Sequence, residues 1–165
     1  MSVYEADKLI SQARVLAAEY RRTMGKPLPG ISNEIAEFDA IKLLQLQPNN
    51  STEGGFNAID PERGDKRIQI KSRTIFDESK SGQRIGQLKL DKSWDSVVLV
   101  LMDEDYEPYE IYEAERHDIL EYIEESSSNR AKRGAMSVAR FKIIGRLAWT
   151  RESGLEAEVW DNQSD

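Results

Sequence analysis

The sequence predicts a mixed α/β fold in a single domain, and three observations carry that reading. The chain has 165 residues, which suits one hydrophobic core and is short for two. Apolar residues recur at helical spacing near both ends and at strand spacing in the middle. No internal repeat and no domain linker divides the chain. The expected element order is helix, helix, four strands, helix, helix.

Each element has a local reason. From Val3 to about Met24 the apolar residues Val3, Ala6, Leu9, Ile10, Ala13, Leu16, Ala17 and Tyr20 form one helical stripe. Gly25, Pro27, Pro29 and Gly30 break the chain, and Ser32 or Asn33 can cap a second helix running to about Gln45. Residues 47–55 read as loop, Gly55 to Asp60 as a short strand, and Pro61 to Asp65 as a turn. Lys66 to Arg73 alternates, with Arg67, Gln69, Lys71 and Arg73 on one side and Ile68, Ile70 and Ser72 on the other, as in a half-buried strand. Residues 74–87 read as a flexible loop. Ser96 to Met102 is continuously apolar, hence a buried central strand, and Pro108 to Tyr112 is its expected partner. Ala114 to Glu125 reads as a helix, and Ser137 caps a last helix with Val138, Phe141, Ile144 and Ala148 on one face. Residues 152–165 read as an acidic tail, in which Leu155, Val159 and Trp160 could dock.

Composition removes whole classes of chemistry. There is no cysteine, so disulfides, thiolate zinc sites and a cysteine nucleophile are excluded. The one histidine, His117, lies in an acidic stretch with no partner at ligand spacing, and reads as a surface or structural residue. The first 25 residues do not read as a signal peptide, and no apolar run approaches the roughly 20 residues that span a bilayer, so a soluble, cytoplasmic protein with no membrane association is expected. Chemistry is left to carboxylates, amides, lysines and hydroxyls. Trp94, Trp149 and Trp160 read as core or docking residues.

The formal net charge of −7 argues at first against a nucleic-acid partner. The charge is segregated, however. Residues 63–92 hold nine bases (Arg63, Lys66, Arg67, Lys71, Arg73, Lys80, Arg84, Lys89, Lys92) against four acids. Residues 103–125 hold eleven acids and one base, and residues 126–151 hold seven bases and no acid. The second basic block either supplies another phosphate-binding edge or neutralises the acidic segment beside it.

Three features suggest a reactive site. Glu37 sits on the core-facing arc of the second helix, about 20° from Leu44, 40° from Ile41 and 60° from Ala40, with Glu34 about 60° to the other side. An acid so placed serves the helix dipole, pairs with a basic strand residue or binds a metal. Asp60 ends an apolar strand just before Pro61, as a turn aspartate or as a ligand. Gln69 and Lys71 project from one face of the next strand. The expectation is that all four groups meet on one side of one sheet. Carboxylates and an amide oxygen are hard donors that suit Mg²⁺ or Mn²⁺, and a nearby lysine positions water or neutralises a phosphate.

The set Glu37…Asp60…Gln69-Ile70-Lys71, within "GFNAID" and "KRIQIKSR", resembles the PD-(D/E)XK, or restriction-endonuclease-like, nuclease superfamily over residues 30–113. The resemblance implies a central mixed four-stranded sheet flanked by helices. Residues 1–29 would be an N-terminal helix and linker, 114–151 C-terminal helices and 152–165 the tail. It implies metal-dependent hydrolysis of DNA phosphodiesters. Asp60 would be the strand acid, Gln69 the second-strand ligand, Lys71 the lysine, and Glu37 (or Glu34) the helix acid. Gln69 stands where Asp or Glu is usual, as it does in some active members, among them a transposon end-cleaving subunit. Arg63, Lys66, Arg67, Arg73, Lys80 and Arg84 would contact phosphates. A homodimer through the N-terminal helix, or a partner protein in a defence or mobile-element system, would fit such an enzyme. The competing readings are an inert scaffold on the same fold and an acidic DNA mimic using residues 103–125.

Overall fold

The computed structural model describes residues 3–52, 54–77, 82–126 and 128–156. Helix α1 (Val3–Met24) and helix α2 (Ile31–Leu43) are followed by strands β1 (Gln47–Pro48), β2 (Ala58–Asp60), β3 (Lys66–Thr74), β4 (Ser96–Met102) and β5 (Pro108–Glu115). Helices α3 (Arg116–Glu125), α4 (Asn129–Lys132) and α5 (Val138–Ile144) then precede strands β6 (Arg146–Thr150) and β7 (Gly154–Leu155). The mixed α/β class is as expected, but the sheet has seven strands, in the order β1-β2-β3-β4-β5-β6-β7. Only β3 and β4 run parallel.

The additional strands explain the differences in count. Residues 47–48 pair with Ile59 and Ala58 inside the expected loop. Residues 146–150, expected as the end of the last helix, form β6 against Glu110–Glu113. The helical spacing of Ile144 and Ala148 is genuine, but Gly145 interrupts it. A side chain there would meet the Glu113 carbonyl at 2.8 Å and the Phe141 carbonyl at 3.0 Å, so glycine lets the chain turn flat against β5. The expected tail contributes β7 at residues 154–155, while Val159 and Trp160 lie outside the described residues. Ser137 caps α5 as expected, accepting from the Arg140 N–H at 3.1 Å. Neither Ser32 nor Asn33 caps α2, because Gly30 occupies that position with φ +83° and no side-chain cap.

Both faces of the sheet are covered. On one, Ala17, Ala18, Ile35, Ala36 and Ala40 of α1 and α2 bury Ile68, Ile70, Val98, Val100 and Met102. Arg14 of α1 clamps this layer by bonding both oxygens of buried Asp39 at 2.8 Å. On the other face, Val97, Leu99 and Leu101 pack against Ile119, Val138 and Phe141. Ile85, Leu88 and Trp94, from the long β3–β4 crossover, complete that layer. Residues 82–87, expected as flexible loop, therefore hold a core residue, and Arg84 bridges Ser137. The crossover is pinned by Leu88 N–H to the Gly134 carbonyl (3.1 Å) and by the Arg116 guanidinium, which donates to three carbonyls of residues 90–94. No helix among the described residues is long and apolar enough to cross a membrane.

Candidate active site

The cavity that gathers the expected residues lies beside β3. Strand β2 pairs only with Lys66–Ile68, so the later part of β3 has a free edge on that side. A cavity of about 190 Å³ opens there, lined by Asn33 and Glu37 of α2, Gly55, Phe56 and Asn57 ahead of β2, Gln69, Ile70 and Lys71 of β3, and Lys89 of the crossover. Glu37 of α2 is thus brought together with Gln69 and Lys71 of β3. Glu34 does not line the cavity; it is exposed one turn earlier on α2.

Asp60 is placed elsewhere. Its partner across the hairpin is Lys66, and Ala58 lies opposite Ile68. Side chains alternate between faces along a strand, so Asp60 shares a face with Ile68 and Ile70, not with Gln69 and Lys71. The expectation of all four groups on one side of the sheet is therefore not met. Asp60 accepts from the Glu62 N–H at 3.0 Å, capping a single 3-10 turn (Pro61–Arg63), and from Arg63 Nε at 2.6 Å.

The residue that replaces Asp60 at the cavity is Asn57. Its Oδ1 accepts from the Ile70 N–H at 2.7 Å, so its Nδ2 is the atom that reaches Glu37, at 3.4 Å. That side chain continues the ladder where β2 leaves β3. Sequence reasoning missed Asn57 by stopping at the nearest acid. The signal was present in the alternation, since the residue in step with Gln69 is odd-numbered and Asp60 is not.

Burial dominates the electrostatics of this cavity. Gln69 is buried and its Nε2 donates to the Gly55 carbonyl at 3.0 Å, which fixes the amide orientation because a carbonyl only accepts. Its Oε1 is then buried with no hydrogen-bond partner. Burial pushes the Glu37 carboxyl above its ordinary range, Glu34 adds to this, and the Asn57 bond works the other way. Burial also pushes the Lys71 ammonium below the usual lysine value, helped by the Lys89 charge. Lys71 Nζ donates to the Gln87 carbonyl at 3.1 Å. Among the described residues no three His, Cys, Asp or Glu side chains cluster, and Glu37 is the one carboxylate lining this cavity.

Three of the six expected phosphate contacts are engaged in ion pairs. Arg63 bonds both oxygens of buried Glu113 at 2.9 and 3.0 Å, Lys66 pairs with Glu115, and Arg67 pairs with Asp95 at 3.2 Å. Arg73 holds the Gln83 amide oxygen at 2.8 and 3.0 Å. Arg84 is half-buried and Lys80 lies outside the described residues. Much of the 126–151 block is spent on the acidic segment: Arg146 on Glu113 (2.9 Å), Lys142 on Glu110 (3.4 Å) and Arg151 on Asp103 (2.8 Å). Of the two readings of that block, internal neutralisation accounts for these three. No family model matches the chain, and no curated protein matches it.

Proposed function

We propose that the chain is a divalent-metal-dependent endonuclease of DNA on a restriction-endonuclease-like core, with Glu37, Gln69 and Lys71 as its working residues. One observation carries the reading: a half-buried acid of α2 lines one small cavity with a half-buried lysine of β3 and a buried amide oxygen that has no hydrogen-bond partner among the described residues. The donor set fits Mg²⁺ or Mn²⁺, which take hard oxygens and commonly rely on one or two carboxylates plus phosphate oxygens of the substrate. Glu37 and Gln69 Oε1 would hold the ion. When bound, it supplies polarisation of a phosphoryl oxygen and acidifies water.

The chain's own groups do the remaining work. Lys71, with its lowered pKa, gives up its proton more readily than an ordinary lysine and suits accepting one from the attacking water. The new P–O bond forms from that water as the bond to the leaving oxygen breaks. The Gln87 carbonyl holds the ammonium in place, and Asn57 orients Glu37. Asp60 has a structural part and is left out of the metal set.

The test is nicking of supercoiled plasmid with Mg²⁺ or Mn²⁺. Lys71→Ala and Glu37→Gln each lower the rate by about 10²-fold or more. Nicking by both variants at the wild-type rate would overturn the assignment.

A second reading, an inert scaffold that binds nucleic acid or a partner nuclease, is favoured by one observation: Asp60, the acid expected to join the site, is tied to Arg63 on the face of β3 opposite Gln69 and Lys71. On that reading duplex DNA is bound and no metal supports nicking.

A further inference from the structure

Many cations of this protein are spent on acids; of those that are not, which include Lys8, Lys26 and Lys132, three more gather around one surface. The cations at the β2–β3 turn and along β5–β6 are bonded to acids. Lys89, Lys92 and Arg133 are exposed and make no ion pair among the described residues. Arg133 faces the groove next to the cavity, and Lys89 and Lys92 border the cavity itself. Lys89 also lines that groove, of about 490 Å³, together with Arg133. The β-carbon and backbone of Lys92 lie against Gly55, the residue whose carbonyl holds the Gln69 amide. A side chain at Gly55 would meet the Lys92 Cβ at 2.3 Å, so this approach requires glycine. Arg133 is set beside the crossover by the adjoining Gly134, whose N–H and carbonyl are used by Ala131 and Leu88.

We infer that the crossover strip Lys89–Lys92, with Arg133, is the track that holds the DNA backbone against the cavity. The inference rests on the proposed function and changes where the substrate lies: along the crossover, and not along the hairpin residues Arg63, Lys66 and Arg67. Asp91 lines the groove with Lys89 and Arg133, but none of the three cations bonds to an acid among the described residues, so each is available to a phosphate. Arg63 or Lys66 would first have to leave a carboxylate. The strip also gives Lys89 two consequences, a phosphate contact and a lowered pKa at Lys71.

The experiment is fluorescence anisotropy of a labelled duplex oligonucleotide with the whole chain in EDTA, over a range of salt, so that binding is read without cleavage. Lys89→Gln with Arg133→Gln weakens binding at least tenfold and flattens the slope of log affinity against log salt by about 2. Removing two charges from α1 and the turn after it by Lys8→Gln with Lys26→Gln leaves the affinity within about twofold. Circular dichroism melts establish that each variant is folded, and single substitutions take the place of a pair that is not. Equal binding by wild type and the crossover variant overturns the track while the cleavage reading stands. No binding of duplex DNA by the wild type removes both, and tighter binding of a single-stranded RNA of the same length would reassign the track to RNA.

Discussion

Three acids in this chain show how position decides what a carboxylate does. Asp39 is buried and neutralised by Arg14, so it fastens α1 to α2. Glu113 is buried under two arginines and the Ser96 hydroxyl (2.6 Å). Burial alone would raise its pKa; the Arg63 bonds and charge outweigh that and hold it below the ordinary glutamate value of 4.5. A depressed folded-state pKa means that this contribution is present above the unfolded pKa and is lost as pH falls through the folded one. Glu113→Ala costs about 3–5 kcal/mol in urea melts near neutral pH, because two guanidinium groups lose their partner. The difference from wild type narrows at pH values below the depressed Glu113 pKa. Glu37 is the opposite case. Its raised pKa means that ionisation at neutral pH works against folding, so Glu37→Gln leaves stability unchanged or slightly higher while removing activity. Glu37 was legible as an acid on an otherwise apolar arc. Asp39, the more deeply buried acid, was overlooked because its arginine is 25 residues away in sequence. Asn57→Asp offers a second carboxylate to the cavity and keeps Oδ1 for Ile70; Mn²⁺ affinity by calorimetry rises about tenfold or more, and an unchanged affinity would remove Asn57 from the site.

At the scale of elements, most boundaries were readable from spacing and breakers. Helix α1 ends just before Gly25, which has φ +75°, and β4 is the continuous apolar run. What failed was hairpin register. The Pro61–Asp65 turn sets Asp60 opposite Lys66, and a strand of three residues leaves no margin for error in parity. Strand β6 was hidden because a glycine stop and a helical pattern overlap at Gly145. The crossover is the element on which the proposed site depends most, since it carries Lys89 and the carbonyl that holds Lys71. Gly134 fastens it, with φ +88° and room for no side chain: a Cβ would meet the Leu88 carbonyl at 2.7 Å. Gly134→Ala costs about 1–3 kcal/mol in thermal or urea melts. It also raises hydrogen exchange at Leu88 N–H, with α1 and α2 amides little changed.

Over the whole molecule, the net charge of −7 describes neither end of the sheet. One end is a mutually neutralised lattice of arginines and acids around Glu113, and the cavity edge carries lysines without acid partners. Charge blocks were legible in the sequence, but which cation meets which acid depends on strand order, and that order was undercounted by three strands. Glu37 stands out of its local pattern as an acid on an apolar arc, whereas Gln69 and Lys71 sit in the regular alternation of β3 and were singled out by the resemblance they carry. Asn57 was passed over because an amide in the bend just ahead of β2 resembles a turn residue. The central claim is that these side chains form a divalent-cation site, and anomalous diffraction from a crystal soaked in Mn²⁺ tests it most directly. The account predicts a peak between the Glu37 carboxylate and Gln69 Oε1. A peak at Asp60, or ordered Mn²⁺ elsewhere with none in this cavity, would contradict it.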